Sequence, residues 1–126
     1  MKIAALIARL LMGLIFLVFG LNGFLHFIPA PPPAGLAGQF AGILFTSHLY
    51  IVIFAVQVIG GLLLLVNRFV PLALVILAPV IVNIFFFHLF MAPSGLPLAI
   101  IVVALWVIVA IRNKQYLAGI FTPRTE

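Results

Sequence analysis

The sequence predicts an all-α integral membrane four-helix bundle with both termini in the cytoplasm. Three observations carry that reading. The chain has 126 residues, 67% hydrophobic and only 6% charged, which is too little charge to cover a water-soluble domain of this size. Its mean hydropathy is +1.51, and its apolar residues fall into four long runs. The six Lys and Arg lie outside or near the edges of those runs.

The spans are taken in order. The first runs from about residue 3 to 28, the second from 48 to 66, the third from 69 to 91 and the fourth from 96 to 111, with a tail over 112–126. Together they make a single transmembrane domain over residues 1–126. A spanning helix needs roughly 20 apolar residues to cross about 30 Å of hydrocarbon. The first three meet that length. The fourth is short unless it begins near Ser94, which would cap it, with Pro97 in its first turn. Pro79 lies inside the third span, where a missing N–H is expected to kink the helix and free nearby carbonyls.

The connection from Pro29 to Ser47 divides in two. "PAPPPAGLAG" is expected to cross the surface as extended polyproline. "QFAGILFTSH" is apolar enough for a short interfacial helix between the first and second spans. A cleaved secretory signal fits poorly, because the first apolar run exceeds a 7–15-residue signal core.

Orientation follows from charge. Lys2 and Arg9 open the first span, Arg68 sits in "VNRFVP", and Arg112, Lys114 and Arg124 follow the fourth. Four crossings put all of them on one side, and basic loops face the cytoplasm. The expected location is a bacterial or archaeal plasma membrane, with Lys2, Arg9, Arg68, Arg112 and Lys114 as cytoplasmic anchors. Arg9 is expected to reach the headgroups through its long side chain. Trp106 is expected to pack or to anchor at the interface.

Composition excludes several chemistries. There is no Cys, so thiol relays, disulfides and thiolate metal sites are out. The single acid is Glu126, which removes carboxylate relays and carboxylate metal cages. The basic balance comes from membrane flanks and does not point to nucleic acid.

In lipid every polar side chain needs a partner or a cavity. On the first helix Arg9, Gly13, Phe16, Gly20 and Gly23 share a stripe, and its glycines allow a neighbouring backbone to approach. Asn22 and His26 form a second stripe, about 140° away. On the second helix Tyr50, Gln57, Gly61 and Leu64 share a face, with Gly60 beside it. On the third, His88 lies about 140° around from Asn83, so the two are not expected to share a face. In the deduced topology His26, His48 and His88 mark the outer boundary, and Asn22, Gln57 and Asn83 lie deeper. Asn22 could orient His26, since positions four apart face each other.

Three readings of this group are open. In the first, Asn22, His26, His48, Tyr50, Gln57, Asn83 and His88 are structural. In the second, they contact a small ligand, a quinone or a lipid headgroup. In the third, two or three histidines hold metal or haem. Imidazole suits such a site, but no acid, Cys or His-x3-His pair supports it. No metal site and no covalently bound cofactor is therefore assigned, and no catalytic residue.

The stretches "ARLLMGLIFLVFGLNGFLHFIPAPPP", "NRFVPLAL" and "HLFMAPSGLP" resemble the DoxX-like membrane proteins in order and spacing. The resemblance includes Arg9, Gly13, Phe16, Gly20 and Gly23, and it implies a four-helix membrane bundle. It implies little about activity: the founding member is similar to a subunit of a thiosulfate:quinone oxidoreductase, other relatives are linked to membrane redox or oxidative-stress complexes, and many have no known role. Some relatives carry Glu near the position of Gln57, and an amide there cannot titrate. The leading expectation is an accessory subunit of a redox or energy-transducing complex that contributes to a quinone or lipid site. The alternative is a stand-alone binding protein or carrier for a small hydrophobic molecule. Catalysis by the chain alone is not expected, because no nucleophile–base pair is present.

Overall fold

The computed structural model describes residues 1–30 and 33–125. Pro31 and Pro32, in the centre of the expected polyproline run, and Glu126 lie outside the described residues. Every regular element among the described residues is helical. These are α1 (Lys2–Leu25), α2 (Gly35–Thr46), α3 (Leu49–Val66), α4 (Val70–Phe90), α5 (Leu96–Arg112) and α6 (Lys114–Leu117). Short 3-10 turns cover Pro93–Gly95 and Ala118–Phe121.

Four helical stretches are long and apolar enough to cross a membrane, the last running over Pro93–Arg112. The fourth span thus reaches 20 residues by adding the 3-10 turn Pro93–Gly95 to α5. Ser94 lies inside that turn and α5 is capped by Gly95 without a side-chain bond, so the expected Ser94 cap does not form. Pro71 and Pro97 sit in the first turns of α4 and α5, where the missing N–H has no intrahelical partner to lose.

The helix ends explain several polar residues. The α3 C-terminus closes at Asn67 in the left-handed region, with φ 57°, and Arg68 N–H donates to the Leu63 carbonyl at 3.0 Å. Asn tolerates that conformation better than most residues. The α1 C-terminus closes at His26, φ 50°, whose N–H donates to the Asn22 carbonyl at 2.8 Å. The Asn22 side chain then accepts the Ile28 N–H at 2.8 Å. Asn22 therefore ties down the chain leaving α1 rather than orienting the His26 ring, a correction to the sequence reading.

Helix α2 begins earlier than expected. "GLAG", read from sequence as extended, forms its first turn, starting at Gly35 with φ +65°, a conformation open to glycine.

The spanning helices form a closed square in which α1 packs on α3 and α5, and α4 packs on the same two. The centre is filled by Met12 and Phe16 of α1, Leu64 of α3, Leu74 and Leu77 of α4 and Val109 of α5, all nearly or fully buried. The tightest seam joins α1 and α3. A Cβ at Gly61 would lie 2.6 Å from the Leu17 nitrogen and 2.8 Å from the Gly13 carbonyl oxygen. Backbone touches backbone there, which is how small residues hold helices together without a hydrophobic driving force.

Among the described residues, two side-chain hydrogen bonds cross the bundle. Arg9 donates through Nη1 to the Leu64 carbonyl, near the α3 C-terminus. The structure adds a contact to the sequence expectation for Arg9: its half-buried guanidinium fastens α1 to the last turn of α3 through one nitrogen. Cations are favoured at helix C-termini, where carbonyls lack intrahelical donors. Trp106 of α5 donates its indole N–H to the Leu74 carbonyl at 2.9 Å. Leu74 lies just over one turn before Pro79, around which α4 remains continuous.

Candidate functional site: a cavity at the far end of the bundle

A cavity of about 370 Å³ lies at the end away from the termini. The late turns of α1 and α4, the early turns of α3 and α5, and α2 all contribute to it. Its wall is almost entirely apolar, and three polar side chains reach it: Gln57, Asn83 and His88. Helix α2 adds Phe40, Leu44 and Phe45 to the walls supplied by the four spanning helices, and the Phe40 ring lies 5.2 Å from that of Phe87 on α4.

Gln57 is the most informative of the three. It is only 5% exposed and is the one buried polar residue among those described. Its amide makes no hydrogen bond among the described residues. No fully buried side-chain atom is left without a partner there, so the amide atoms keep access to the cavity space. An amide offers two donors and two acceptor lone pairs. Leaving them unpaired in an apolar setting costs on the order of 1–3 kcal/mol.

His88 is held in place. Its Nδ1 lies 2.8 Å from the Ile84 carbonyl oxygen. A carbonyl only accepts, so Nδ1 carries the proton, and in the neutral ring Nε2 is left as an acceptor. Gly95 makes room for this ring: a Cβ there would fall onto Cδ2 and Nε2 of His88. Asn83 lies on the exposed side of the lining. Asn83 and His88 therefore serve one cavity, although their helical angle suggested separate faces. The cavity is wide enough to span that arc, because α4 meets α3 on one side and α5 on the other.

The remaining candidates stand apart from the lining. His26 and His48 are exposed, with ring centres 5.6 Å from Phe45 and 6.4 Å from Tyr50 respectively. Tyr50 stacks on Phe45 at 4.7 Å and lies 6.4 Å from Phe54. Phe45 and Phe54 do line the cavity, so this aromatic group forms its rim. The seven polar candidates thus separate into three lining residues, three rim residues and Asn22, which acts in the α1 cap. Sequence reasoning missed the wall supplied by α2. The signal was Phe40 and Leu44 four apart in "QFAGILF", but no polar residue singled that face out.

The glycines act in packing. Gly13 and Gly61 meet at the α1–α3 seam, Gly20 lies on Val58, and Gly23 lies beneath the Phe54 ring. Gly60 faces Leu77, where a Cβ would come within 2.7 Å of the side chain. The aromatic wall around Phe54 depends on Gly23, which has no side chain to displace the ring.

Neither a curated protein nor a solved structure matches the chain. The family model DoxX matches residues 4–89, from the first turn of α1 to nearly the end of α4. With most of its length matched and four membrane-length apolar helices, the chain belongs to the DoxX family and is a multi-pass membrane protein.

Proposed function

We propose that the far-end cavity binds a small, mostly apolar molecule with one hydrogen-bonding end, of the quinone or lipid class. The observation that carries this is Gln57: a buried amide, unpartnered among the described residues, facing an apolar space of ligand size. Small-molecule sites typically enclose about 300–1,000 Å³ of mostly apolar wall with a few polar groups that fix orientation. A ligand carbonyl or hydroxyl would pair with the Gln57 amide, with the Asn83 amide as a further partner and the His88 ring packed beside it. The positive-inside rule puts the terminus-bearing end in the cytoplasm and the cavity in the outer half of the membrane.

The walls come from one chain, which favours a stand-alone binding protein or carrier over a half-site completed by a neighbour. A role in a redox complex rests on the ligand instead. Amide and imidazole side chains do not carry electrons, so a bound quinone would exchange them with a partner subunit.

The test is purification in mild detergent, solvent extraction and mass spectrometry of what the protein retains. A stoichiometric quinone or lipid is expected. Gln57→Leu should lower its retention about tenfold, for the loss of a hydrogen bond worth about 1–1.5 kcal/mol. Native mass spectrometry of the same sample reports the setting. Co-purifying subunits favour the redox complex, and a lone loaded chain favours the carrier. Protein that carries no amphiphile, and takes up no added short-chain quinone or lipid, would refute the reading.

A further inference from the structure

A second cavity, of about 480 Å³, lies at the opposite, terminus-bearing end. Three cations line it from two helices: Lys2 and Arg9 of α1, and Arg112 of α5. Asn67, Asn113 and Tyr116 add polar groups, and the floor is Ala5, Val70 and Val109, each nearly buried. The chain has six Lys and Arg against one acid and a net charge of +5. Glu126 alone cannot neutralise this group, so most of the counter-charge must come from outside the chain. We infer that this pocket is a binding site for a phosphate-bearing anion, either an anionic phospholipid headgroup or a free phosphate.

The geometry supports that class. Arg9 is held in place by the Leu64 carbonyl, which occupies Nη1 and leaves most of its planar set of donors for other partners. A fixed guanidinium loses less freedom on binding than a mobile one, and Arg matches phosphate oxygens two at a time. The first turn of α1 lines the same pocket, and its free N–H groups favour negative charge. The carbonyl ends of α3 and α5 oppose that field, and Arg9 and Arg112 stand beside them. The apolar floor between α1 and α5 suits the start of an acyl chain. Arg68 and Lys114 are on neighbouring turns but do not line the pocket. The site is therefore distinct from a general basic surface.

The test uses the full-length protein in two arms. In the first, nanodiscs of phosphatidylcholine with one-fifth phosphatidylglycerol are opened in the mass spectrometer and retained lipids are counted. In the second, inorganic phosphate is titrated into pure phosphatidylcholine nanodiscs and followed by phosphorus NMR. Binding in the first arm assigns the headgroup, and binding in the second assigns a soluble anion. Arg112→Ala and Lys2→Ala should each weaken the positive arm about fivefold, the amount about 1 kcal/mol per basic residue corresponds to. Arg68→Ala should change it less than twofold. Circular dichroism checks that each variant keeps its helix content. Absence of binding in both arms would overturn the inference. So would an effect of Arg68→Ala equal to that of Arg112→Ala, because the attraction would then be diffuse.

Discussion

Adding one methyl group at Gly61 tests the α1–α3 seam on which the far-end cavity depends. The new Cβ would lie 2.6 Å from the Leu17 nitrogen, 2.8 Å from the Gly13 oxygen and 3.1 Å from the Leu17 Cα. All three are backbone atoms, so no rotamer change relieves the clash. Ordinary contact begins at 3.4 Å, and α1 must therefore move away by roughly 0.8 Å. A gap of about that size forfeits a quarter to a half of the dispersion attraction between facing atoms. Overpacking of this kind costs about 1–3 kcal/mol, against a helix-propensity gain of about 0.5–1 kcal/mol for Gly→Ala. The net expectation for Gly61→Ala is a loss of about 1 kcal/mol, within a range of about 0–2.5 kcal/mol. Gly42, in α2, has no atom within 4 Å of its would-be Cβ, so Gly42→Ala should be neutral or stabilising by up to about 1 kcal/mol. Reversible unfolding in mixed detergent–SDS micelles, followed by circular dichroism, measures both. Gly61 is one turn from Gln57, so ligand retention should fall with stability. A Gly61→Ala variant as stable as the parent, or changes of the same sign at both sites, would refute the close-backbone account.

Trp106→Phe removes the indole N–H from the Leu74 carbonyl and should cost about 0.6–1.7 kcal/mol in the same assay. An unchanged stability would mean that this bond contributes nothing net. Gly95→Ala should push the His88 ring off its position and reduce ligand retention, while His26→Ala, at the rim, should leave retention within about twofold; mass spectrometry of the extracted protein separates the two. The chain has no Cys, so single cysteines report topology cleanly. Ser47→Cys should react with an impermeant maleimide in intact cells and Thr122→Cys should not, and the reverse pattern would invert the orientation.

The spans were readable because hydrocarbon thickness sets a minimum apolar length, and the four runs meet it with little help from side-chain detail. The glycine stripe on α1 was readable for a similar reason: Gly13, Gly20 and Gly23 recur on one side of a 3.6-residue helix. The polar residues were less readable. Asn22 and His26 stand one turn apart, yet the Asn22 amide turns to the Ile28 N–H, because a chain leaving a helix has backbone groups to satisfy. For Arg9 the contact with protein could not be read, because only the position of the α3 C-terminus supplies the Leu64 carbonyl. Asn83 and His88 were assigned to separate faces by angle alone, which ignores the width of a cavity bounded by four spanning helices and α2.

Composition and the order of apolar and basic residues by themselves determined that this is a four-span helical membrane protein, with its imidazoles and the amides within its spans towards one end and its cations towards the other. Those properties depend on length, solvent and periodicity, which a linear chain already contains. Tertiary structure alone decided that Gln57, Asn83 and His88 share one cavity, that α2 lines it with them, and that Lys2, Arg9 and Arg112 meet in another. Which side chains converge depends on how four helices are arranged around one another, and that arrangement is set by contacts between residues tens of positions apart.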